Sequence, residues 1–398
     1  MTRQALKDLV EPVQTLDPKS GFANKFTYID IASVDQETKR VIGARPVPSE
    51  EAPSRARQLV RAGDILVSTV RPNLNAVAAV PAELNGAIAS TGFCVLRPGP
   101  NLDSDYLKHW VMTSEFVYSM VSQATGQSYP AVSDRIVKQS TLPVPGVERQ
   151  RRIAAVLDQV DAMRVKRRQT IALLDALTQS IFLDMFGDQL TGRDRVVSLS
   201  SVADISSGIT KGRKTPAGEL ETLPYLAVAN VQDRHLDLSN VKEISVSSEE
   251  KERYKLKVGD LLLTEGGDPD KLGRGTLWRG ELPACLHQNH IFRVRVSKTD
   301  FVDPVYLNWV VSSNYGKRYF LRTAKQTTGI ASINKTQLGD FPLPLPDLTV
   351  QLEFKKRVKE VAAQQEAHRA HATALDELFT SLQQRAFSGT LWDHEAAA

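Results

Sequence analysis

The chain contains one sequence plan twice, with equivalent positions about 200 residues apart. Residues 28–34 (YIDIASV) resemble residues 225–231 (YLAVANV), and Gly63-Asp64 recurs as Gly259-Asp260. The same order continues in Tyr106-Leu107 and Tyr306-Leu307, Thr125-Gly126 and Thr328-Gly329, the Leu-Pro-x-Pro segments from Leu142 and Leu343, and Leu174-Asp175 and Leu375-Asp376. Because an internal repeat dictates the architecture of a chain, two copies of one structural unit are expected.

In each copy the sequence pattern changes from strand-like to helix-like at the proline pair. Upstream, short β-branched runs such as residues 65–70 and 291–296 lie between Gly, Pro and Asn turns, which predicts strands. Helices are predicted near residues 106–120 and 305–321. Downstream, residues 150–185 and 351–387 lack Gly and Pro and are rich in helix formers, so each predicts one long helix. The predicted fold is α+β, with two strand-rich domains alternating with two long helices.

Apolar residues recur in steps of three and four along both predicted helices, with polar residues at the centre. Such helices bury their stripes best against each other, as a coiled-coil pair. His368 and His371 are predicted to form part of the central polar layer, where their titration would act near neutral pH. The predicted seam consists of Ile153, Val160, Leu174, Leu177, Ile181, Phe354, Val361, Leu375, Leu378 and Leu382.

The predicted boundaries follow from the prolines. The first strand-rich domain covers residues 1–145 and the first helix residues 146–187. The second strand-rich domain covers residues 188–346 and the second helix residues 347–390. Residues 391–398 form a C-terminal tail.

Composition narrows the class of protein. A chain of 398 residues can form more than one core. The formal net charge of +4 is too small to establish nucleic-acid binding. Two cysteines without a C-x-x-C pair argue against disulfides and zinc modules, and indicate a reducing, cytoplasmic setting. Residues 1–11 are too charged for a signal peptide, and no run long enough to span a bilayer is expected.

The order domain, helix, domain, helix, with Leu-Pro-x-Pro before each helix, resembles the specificity subunits of type I restriction-modification systems. The resemblance covers essentially the whole chain. This family places Glu-Gln or a close variant after the prolines. Here Glu148-Arg149-Gln150 and Val350-Gln351 occupy that place, and the second copy lacks the Glu.

The resemblance implies a non-catalytic protein with two target-recognition domains, each reading one half of a bipartite, asymmetric site in double-stranded DNA. The helices would pack antiparallel, giving the repeat an approximate two-fold relation. They would dock two DNA adenine methyltransferase (modification) subunits and, through them, a restriction helicase-nuclease subunit. The chain would bind no cofactor itself, since S-adenosylmethionine would bind to the modification subunit.

Polar loops that follow the predicted strands are the candidate DNA contacts. Arginine suits guanine and asparagine suits adenine in the major groove, whereas lysines more often anchor phosphates. Ordinary solvated loops are the alternative for any single residue. The candidates in the first domain are Ser68, Thr69, Arg71, Asn73, Asn75, Gln127, Ser128 and Tyr129. Those in the second are Lys211, Arg213, Lys214, Thr215, Lys271, Arg274, Gln288, Asn289, His290, Ser332, Asn334 and Lys335.

Two patterns imitate other sites. Residues 208–215 resemble a phosphate-binding P-loop, but three residues instead of four separate the glycines and Arg213 follows where Lys is required. Cys285, His287 and His290 have no clear fourth metal ligand. Neither nucleotide nor metal binding is predicted.

Two other functions compete with DNA recognition. A self-contained restriction-methylation enzyme, or a fragment of one, would need a Gly-rich cofactor turn and an Asn/Asp-Pro-Pro-aromatic motif, and the chain has neither. The acidic segment at residues 268–271 lacks the partner acid-x-Lys of a nuclease. A coiled-coil scaffold without DNA specificity would explain the helices but not two loop-bearing domains of matching order.

Overall fold

The computed structural model describes residues 2–21, 23–192, 195–214, 218–327 and 329–392. The chain forms two compact units. Unit 1 comprises residues 1–171 and 367–398, and unit 2 comprises residues 172–366. Each long helix contributes residues to both units, so each unit holds part of both helices.

Unit 1 is strand-rich and contains short helices besides its share of the long ones. Its strands are β1 (Arg3–Ala5), β2 (Val10–Glu11), β3 (Lys25–Ile29), β4 (Val34–Asp35), β5 (Arg40–Val41), β6 (Arg45–Pro48), β7 (Ala56–Leu59), β8 (Ile65–Ser68), β9 (Val77–Ala79), β10 (Ile88–Ser90), β11 (Phe93–Pro98) and β12 (Thr141–Pro143). Its short helices are α1 (Ser104–Val111), α2 (Ser114–Ser122) and α3 (Asp134–Gln139). The first long helix is α4 (Val147–Thr191).

Unit 2 follows the same order. Its strands are β13 (Val196–Ser198), β14 (Ala203–Ser207), β15 (Glu221–Leu226), β16 (Lys242–Val246), β17 (Leu261–Thr264), β18 (Gly266–Gly267), β19 (Gly275–Leu277), β20 (Leu286–His287), β21 (Ile291–Val296), β22 (Lys325–Thr327), β23 (Ile330–Ser332) and β24 (Pro342–Pro344). Its short helices are α5 (Ser248–Tyr254), α6 (Pro304–Ser312), α7 (Asn314–Thr323) and α8 (Lys335–Gly339). The second long helix is α9 (Leu348–Ser388).

One four-stranded sheet has the same strand order in both units, whereas the sheet that contains β3 has four strands and the sheet that contains β15 has three. Unit 1 has a sheet of order β2-β11-β8-β9, and unit 2 has one of order β14-β21-β17-β19. In unit 1, β3 also pairs in parallel with β10, and in unit 2 β15 pairs in parallel with β20. The fold is therefore α+β and internally repeated, as the sequence predicted.

The repeated Gly-Asp pair forms a turn and a buried ion pair. Gly63 and Gly259 have φ values of 86° and 93°, a conformation that glycine adopts without steric cost. The next residue, Asp64, accepts hydrogen bonds from the Arg97 guanidinium at 2.7 and 2.9 Å. Asp260 does the same with Arg295 at 2.6 and 2.7 Å. Each pair fastens the turn before a central strand to the neighbouring strand.

The repeated glutamine after each proline pair joins a long helix to its unit. Gln150 accepts from the Asp103 backbone N–H at 2.8 Å and donates to the backbone carbonyls of Asn101 and Pro145. Gln351 makes the matching bonds with Asp303, Phe301 and Pro346. Both glutamines are 0% exposed. A fully satisfied buried amide explains why glutamine occupies this place in both copies.

The two predicted short helices each proved to be a pair. Helix α1 ends before Thr113 and α2 begins after it, because the Thr113 hydroxyl caps α2 by accepting from the Phe116 N–H at 3.2 Å. Ser313 breaks α6 from α7 in the same way by capping Tyr315 and Gly316. Because Ser and Thr favour helix N-caps, each starts a new helix in place of continuing the old one.

The long helices run antiparallel within each unit. In unit 1, residues further along the second long helix contact residues nearer the start of the first. Arg167 contacts His368, Arg164 contacts Asp376, and Arg149 contacts Gly389. In unit 2, Gln365 donates to Asp175 at 2.8 Å, and Phe354 packs on Phe182 and Phe186. The Arg167–His368 contact lies in the predicted central polar layer, whereas His371 is exposed.

The structure differs from the predicted seam at two leucines. Leu177 is 45% exposed and Leu378 is 46% exposed, while the next residues, Thr178 and Phe379, are buried. A straight α-helix drifts by about 20° per heptad, so a pattern of seven loses the buried face after several turns. Ile153, Val160, Phe354 and Val361 are buried, and Leu174, Ile181, Leu375 and Leu382 are half-buried.

Helix α4 also extends past the predicted end at residue 187, through Gly187 to Thr191. Phe186 and Leu190 are buried in the core of unit 2, so packing continues the last turn. The predicted boundary at residue 347 is close to the start of α9 at Leu348. Of the predicted tail, residues 393–398 lie outside the described residues.

One described helix, α4, is long and apolar enough to cross a bilayer by length and composition alone. This differs from the expectation that no such run exists. Core helices pass the same test, and Phe182, Phe186 and Leu190 of this segment are buried in unit 2. The finding is therefore weak support for a membrane span.

Replacing the buried glutamine should destabilise unit 2 strongly. Gln351→Ala leaves the Asp303 N–H and two backbone carbonyls without their partner, which should cost roughly 2–5 kcal/mol of unfolding free energy. Urea unfolding monitored by tryptophan fluorescence measures the loss. Gln364→Ala, on the exposed face of the same helix, should change stability by less than about 0.5 kcal/mol. Equal effects of the two changes would contradict the assigned role.

Candidate nucleic-acid interface

In unit 1 the fold brings the two predicted polar clusters together. Residues 70–75 follow β8, and residues 125–131 form a turn that pairs with them. Val70 bridges to Ala131, and the Arg71 N–H donates to the Pro130 carbonyl at 2.7 Å. We call residues 70–75 and 125–131 loop surface 1.

Arg71 and Tyr129 form the centre of loop surface 1. The Arg71 guanidinium lies 4.7 Å from the Tyr129 ring centroid, and the Tyr129 residue is 69% exposed. Arg71 has a φ of 50°, a left-handed conformation that is uncommon outside glycine. Stacking on an aromatic ring leaves the planar edge of a guanidinium free to donate.

The other predicted residues of unit 1 divide into exposed and buried groups. Gln127, Ser128 and Asn73 are exposed, and Asn75 is half-buried with its carbonyl accepting from Lys39. Ser68 and Thr69 are buried, and their hydroxyls donate to the carbonyls of Val70 and Gly92. These two hydroxyls support the loop and do not face solvent. A contact between these hydroxyls and DNA stays a prediction, and it would require the loop to open.

Unit 2 builds an equivalent surface from different side chains. The Glu265 N–H after β17 donates to the His290 carbonyl at 2.9 Å, as the Thr69 N–H donates to the Gly92 carbonyl in unit 1. Gly266 then pairs with Ser332 of β23. We call residues 265–267, 288–290, 325–327 and 330–332 loop surface 2. It contains the predicted residues Gln288, Asn289, His290 and Ser332.

Sequence reasoning missed Glu265. Its carboxylate accepts from His290 Nδ1 at 2.7 Å, and its side chain is 35% exposed. A carboxylate is an unusual DNA contact because phosphates repel it. The signal in the sequence was its position directly after the second Gly-Asp strand, which matches Thr69 of the first copy.

The remaining predicted residues of unit 2 make contacts of their own. Arg213 donates to both oxygens of Glu250 at 2.6 and 2.7 Å, which raises the pKa of the Arg213 guanidinium. Lys211 and Lys214 are exposed, and Thr215 lies outside the described residues. The Asn289 N–H donates to the Ile209 carbonyl at 3.0 Å, so the residues that lead to Lys211 and Arg213 begin beside loop surface 2.

Three further positions have structural partners. Lys271 pairs with Asp268 at 2.5 Å, and Arg274 donates to Gln232 at 2.9 Å. Asn334 caps α8 by accepting from the Gln337 N–H, and Lys335 beside it is exposed. The structure therefore brings only some of the predicted residues of unit 2 onto one surface.

The described residues contain no cluster of three or more His, Cys, Asp or Glu that could hold a metal ion. Burial raises the pKa of both Cys94 and Cys285 to about 12, so neither thiol ionises near neutral pH. His287 is 0% exposed, and its Nδ1 contacts the Ile291 carbonyl at 3.0 Å. The absence of a bound metal remains a prediction.

The structure contains two units, each with a polar loop surface after the corresponding central strand. Two specificity subunits of type I restriction enzymes are similar to this chain in sequence. A type I restriction enzyme specificity subunit, StySPI from Salmonella potsdam, is 22% identical over 75% of this chain and 68% of its own length. The EcoKI specificity subunit of Escherichia coli strain K12 is 24% identical over 68% of this chain and 61% of its own length.

Solved structures share the fold of the chain. A chain from a structure that describes complex assembly and conformational transition of the type I restriction-modification system has a TM-score of 0.62 and 25% identity, with 98% of each chain covered. A specificity subunit from M. genitalium shares the fold, with a TM-score of 0.55, 12% identity, and 97% of this chain and 96% of its own covered. No protein-family model matches the chain. The chain is similar in sequence and in fold to the specificity subunits of type I restriction-modification systems.

The buried histidine should make stability depend on pH. Burial lowers the pKa of His287 to about 4, below its usual 6.5, so between these values the unfolded state binds more protons. Stability should therefore fall by about 3 kcal/mol as pH decreases from 6.5 to 4. Chemical unfolding across this range measures it. His287→Asn should remove this part of the pH dependence, and His235→Asn, at an exposed position, should retain it. An unchanged pH profile in His287→Asn would contradict the assignment.

Proposed function

We propose that this chain reads a bipartite, asymmetric site in double-stranded DNA, with loop surface 1 on one half and loop surface 2 on the other. The observation that carries the proposal is one backbone frame bearing different side chains. The bonds Thr69 N–H to Gly92 and Val132 N–H to Thr69 in unit 1 recur as Glu265 N–H to His290 and Ile333 N–H to Glu265 in unit 2.

Two units with the same backbone hydrogen bonds but different side chains can bind two different DNA sequences. In each unit the frame leads into a polar loop after the same central strand, and base edges in the major groove are distinguished by donors and acceptors. Loop surface 1 presents the Arg71 guanidinium, a donor that suits O6 and N7 of guanine. The lysines of both units are proposed to contact phosphates, which position the protein without reading sequence.

The remaining chemistry is assigned to partners. We propose that two DNA adenine methyltransferase subunits bind this chain, together with a restriction helicase-nuclease subunit. S-adenosylmethionine binds to the modification subunit in this proposal, and this chain binds no cofactor and acts in the cytoplasm. The relatives are named specificity subunits, the non-catalytic members of these systems. A scaffold without DNA specificity would not account for two matching loop surfaces.

The purified chain alone should neither methylate nor cut DNA, since its sequence lacks both catalytic signatures. With its modification subunit and S-adenosylmethionine, it should direct adenine methylation to one bipartite sequence. Methylation-sensitive sequencing of DNA from a methylation-deficient host that expresses both subunits provides the measurement. The modification subunit without this chain is the control. Methyl transfer by the isolated chain, or the same methylation pattern without it, would refute the proposal.

Exchange of one predicted recognition domain should change one half of the site. Replacing residues 188–346 with the corresponding domain of another specificity subunit should change the half-site read by unit 2, because its loop surface is replaced. The other half-site should stay the same, as mapped by the same sequencing. The reciprocal exchange of residues 1–145 is the matched control. A change in both half-sites, or in neither, would show that the units do not read separately.

A further inference from the structure

We infer that Glu265 reads an amino-bearing base, cytosine or adenine, in the half-site of unit 2, and that His290 positions its carboxylate. This inference rests on the proposed function.

The backbone of Glu265 is fixed on both sides. Its N–H donates to the His290 carbonyl, and its carbonyl accepts from the Ile333 N–H, both at 2.9 Å. It therefore lies between residues 288–290 and the segment that follows β23. The next residues, Gly266 and Gly267, carry no side chain, and a Cβ at Gly267 would have no atom within 4 Å. The open space lies at Gly267, because a Cβ at Gly266 would meet the Ala331 carbonyl oxygen at 2.9 Å and the Ser332 Cβ at 3.1 Å.

The side chain of Glu265 is oriented by a chain of hydrogen bonds. Because a carboxylate only accepts, His290 Nδ1 must carry the proton in its 2.7 Å contact with Glu265 Oε2. His290 Nε2 is then an acceptor for Asn289 Nδ2 at 3.4 Å. This arrangement works with a neutral imidazole. It holds one carboxylate oxygen and leaves the other, Oε1, free to accept from a ligand.

No Lys or Arg in the described ranges forms an ion pair with Glu265. Its ionic partner among the described residues is His290, which offsets the charge only when its imidazole is protonated. On a DNA-binding surface, an exposed carboxylate is repelled by phosphates, and only a donor on the DNA offsets that repulsion. In the major groove these donors are the amino groups of cytosine (N4) and adenine (N6). The keto oxygens of guanine and thymine would repel the carboxylate.

Unit 1 shows that this carboxylate is not needed by the fold. The equivalent residue, Thr69, is buried, and its hydroxyl donates to the Gly92 carbonyl at 3.0 Å. The polar group that loop surface 1 presents is Arg71, a donor, where loop surface 2 presents Glu265, an acceptor. The two half-sites should therefore differ in base chemistry as well as in sequence.

Glu265→Gln provides the direct test. An amide both donates and accepts, so the variant should keep the amino-bearing base and also admit a keto base at one position of the unit 2 half-site. Discrimination at that position should fall by roughly tenfold or more. The experiment is methylation mapping of the complete methyltransferase, with wild-type chain or variant and the modification subunit, in a methylation-deficient host. The unit 1 half-site is the internal control and should not change.

Further variants separate base reading from structure. Glu249→Gln, an exposed glutamate on α5, removes the same charge and should leave the site unchanged. His290→Leu should relax the same position as Glu265→Gln, whereas His290→Asn, which retains a donor near Nδ1, should restore wild-type selectivity.

The outcomes are distinguishable. A wild-type map without any bipartite site would overturn the proposed function and this inference with it. A wild-type bipartite site that stays identical in Glu265→Gln at every position would overturn this inference alone. Relaxation in the unit 1 half-site, or a wild-type requirement for guanine or thymine at the relaxed position, would also overturn it.

Discussion

Each long helix is fastened to its unit by one buried glutamine amide. Gln150 and Gln351 each satisfy three buried backbone groups, so the start of each long helix has a single position relative to α1 in unit 1 and to α6 in unit 2. An unsatisfied amide there would be costly, and the site therefore specifies geometry as well as stability. This junction joins the start of each long helix to the strand-rich part of its unit.

Much of the fold follows from the repeat in the sequence. The Gly-Asp turns, the proline pairs and the Gly-free runs predicted the central strands and both long helices, because each has a strong local cause. Local pattern did not show the breaks at Thr113 and Ser313, where a capping hydroxyl competes with helix continuation. It also did not show that Leu177 and Leu378 leave the seam, since a heptad count ignores the drift of a straight helix.

The candidate site was less predictable for a physical reason. Sequence shows which residues are polar, but not whether a hydroxyl is used inside the loop, as at Ser68 and Thr69. Glu265 was missed because its significance comes from contacts distant in sequence, to His290 and Ile333. The meeting of residues 70–75 with residues 125–131 likewise depends on strand pairing that no local motif encodes.

The central claim is that two equivalent loop surfaces contact DNA independently. Hydrogen-deuterium exchange of the complete methyltransferase, with and without its target duplex, tests it directly. With the intact site, protection should appear at residues 70–75 and 125–131 and at residues 265–267 and 288–290. Scrambling one half-site should remove protection from one surface and leave the other protected. Protection confined to the long helices, or lost from both surfaces together, would contradict the account.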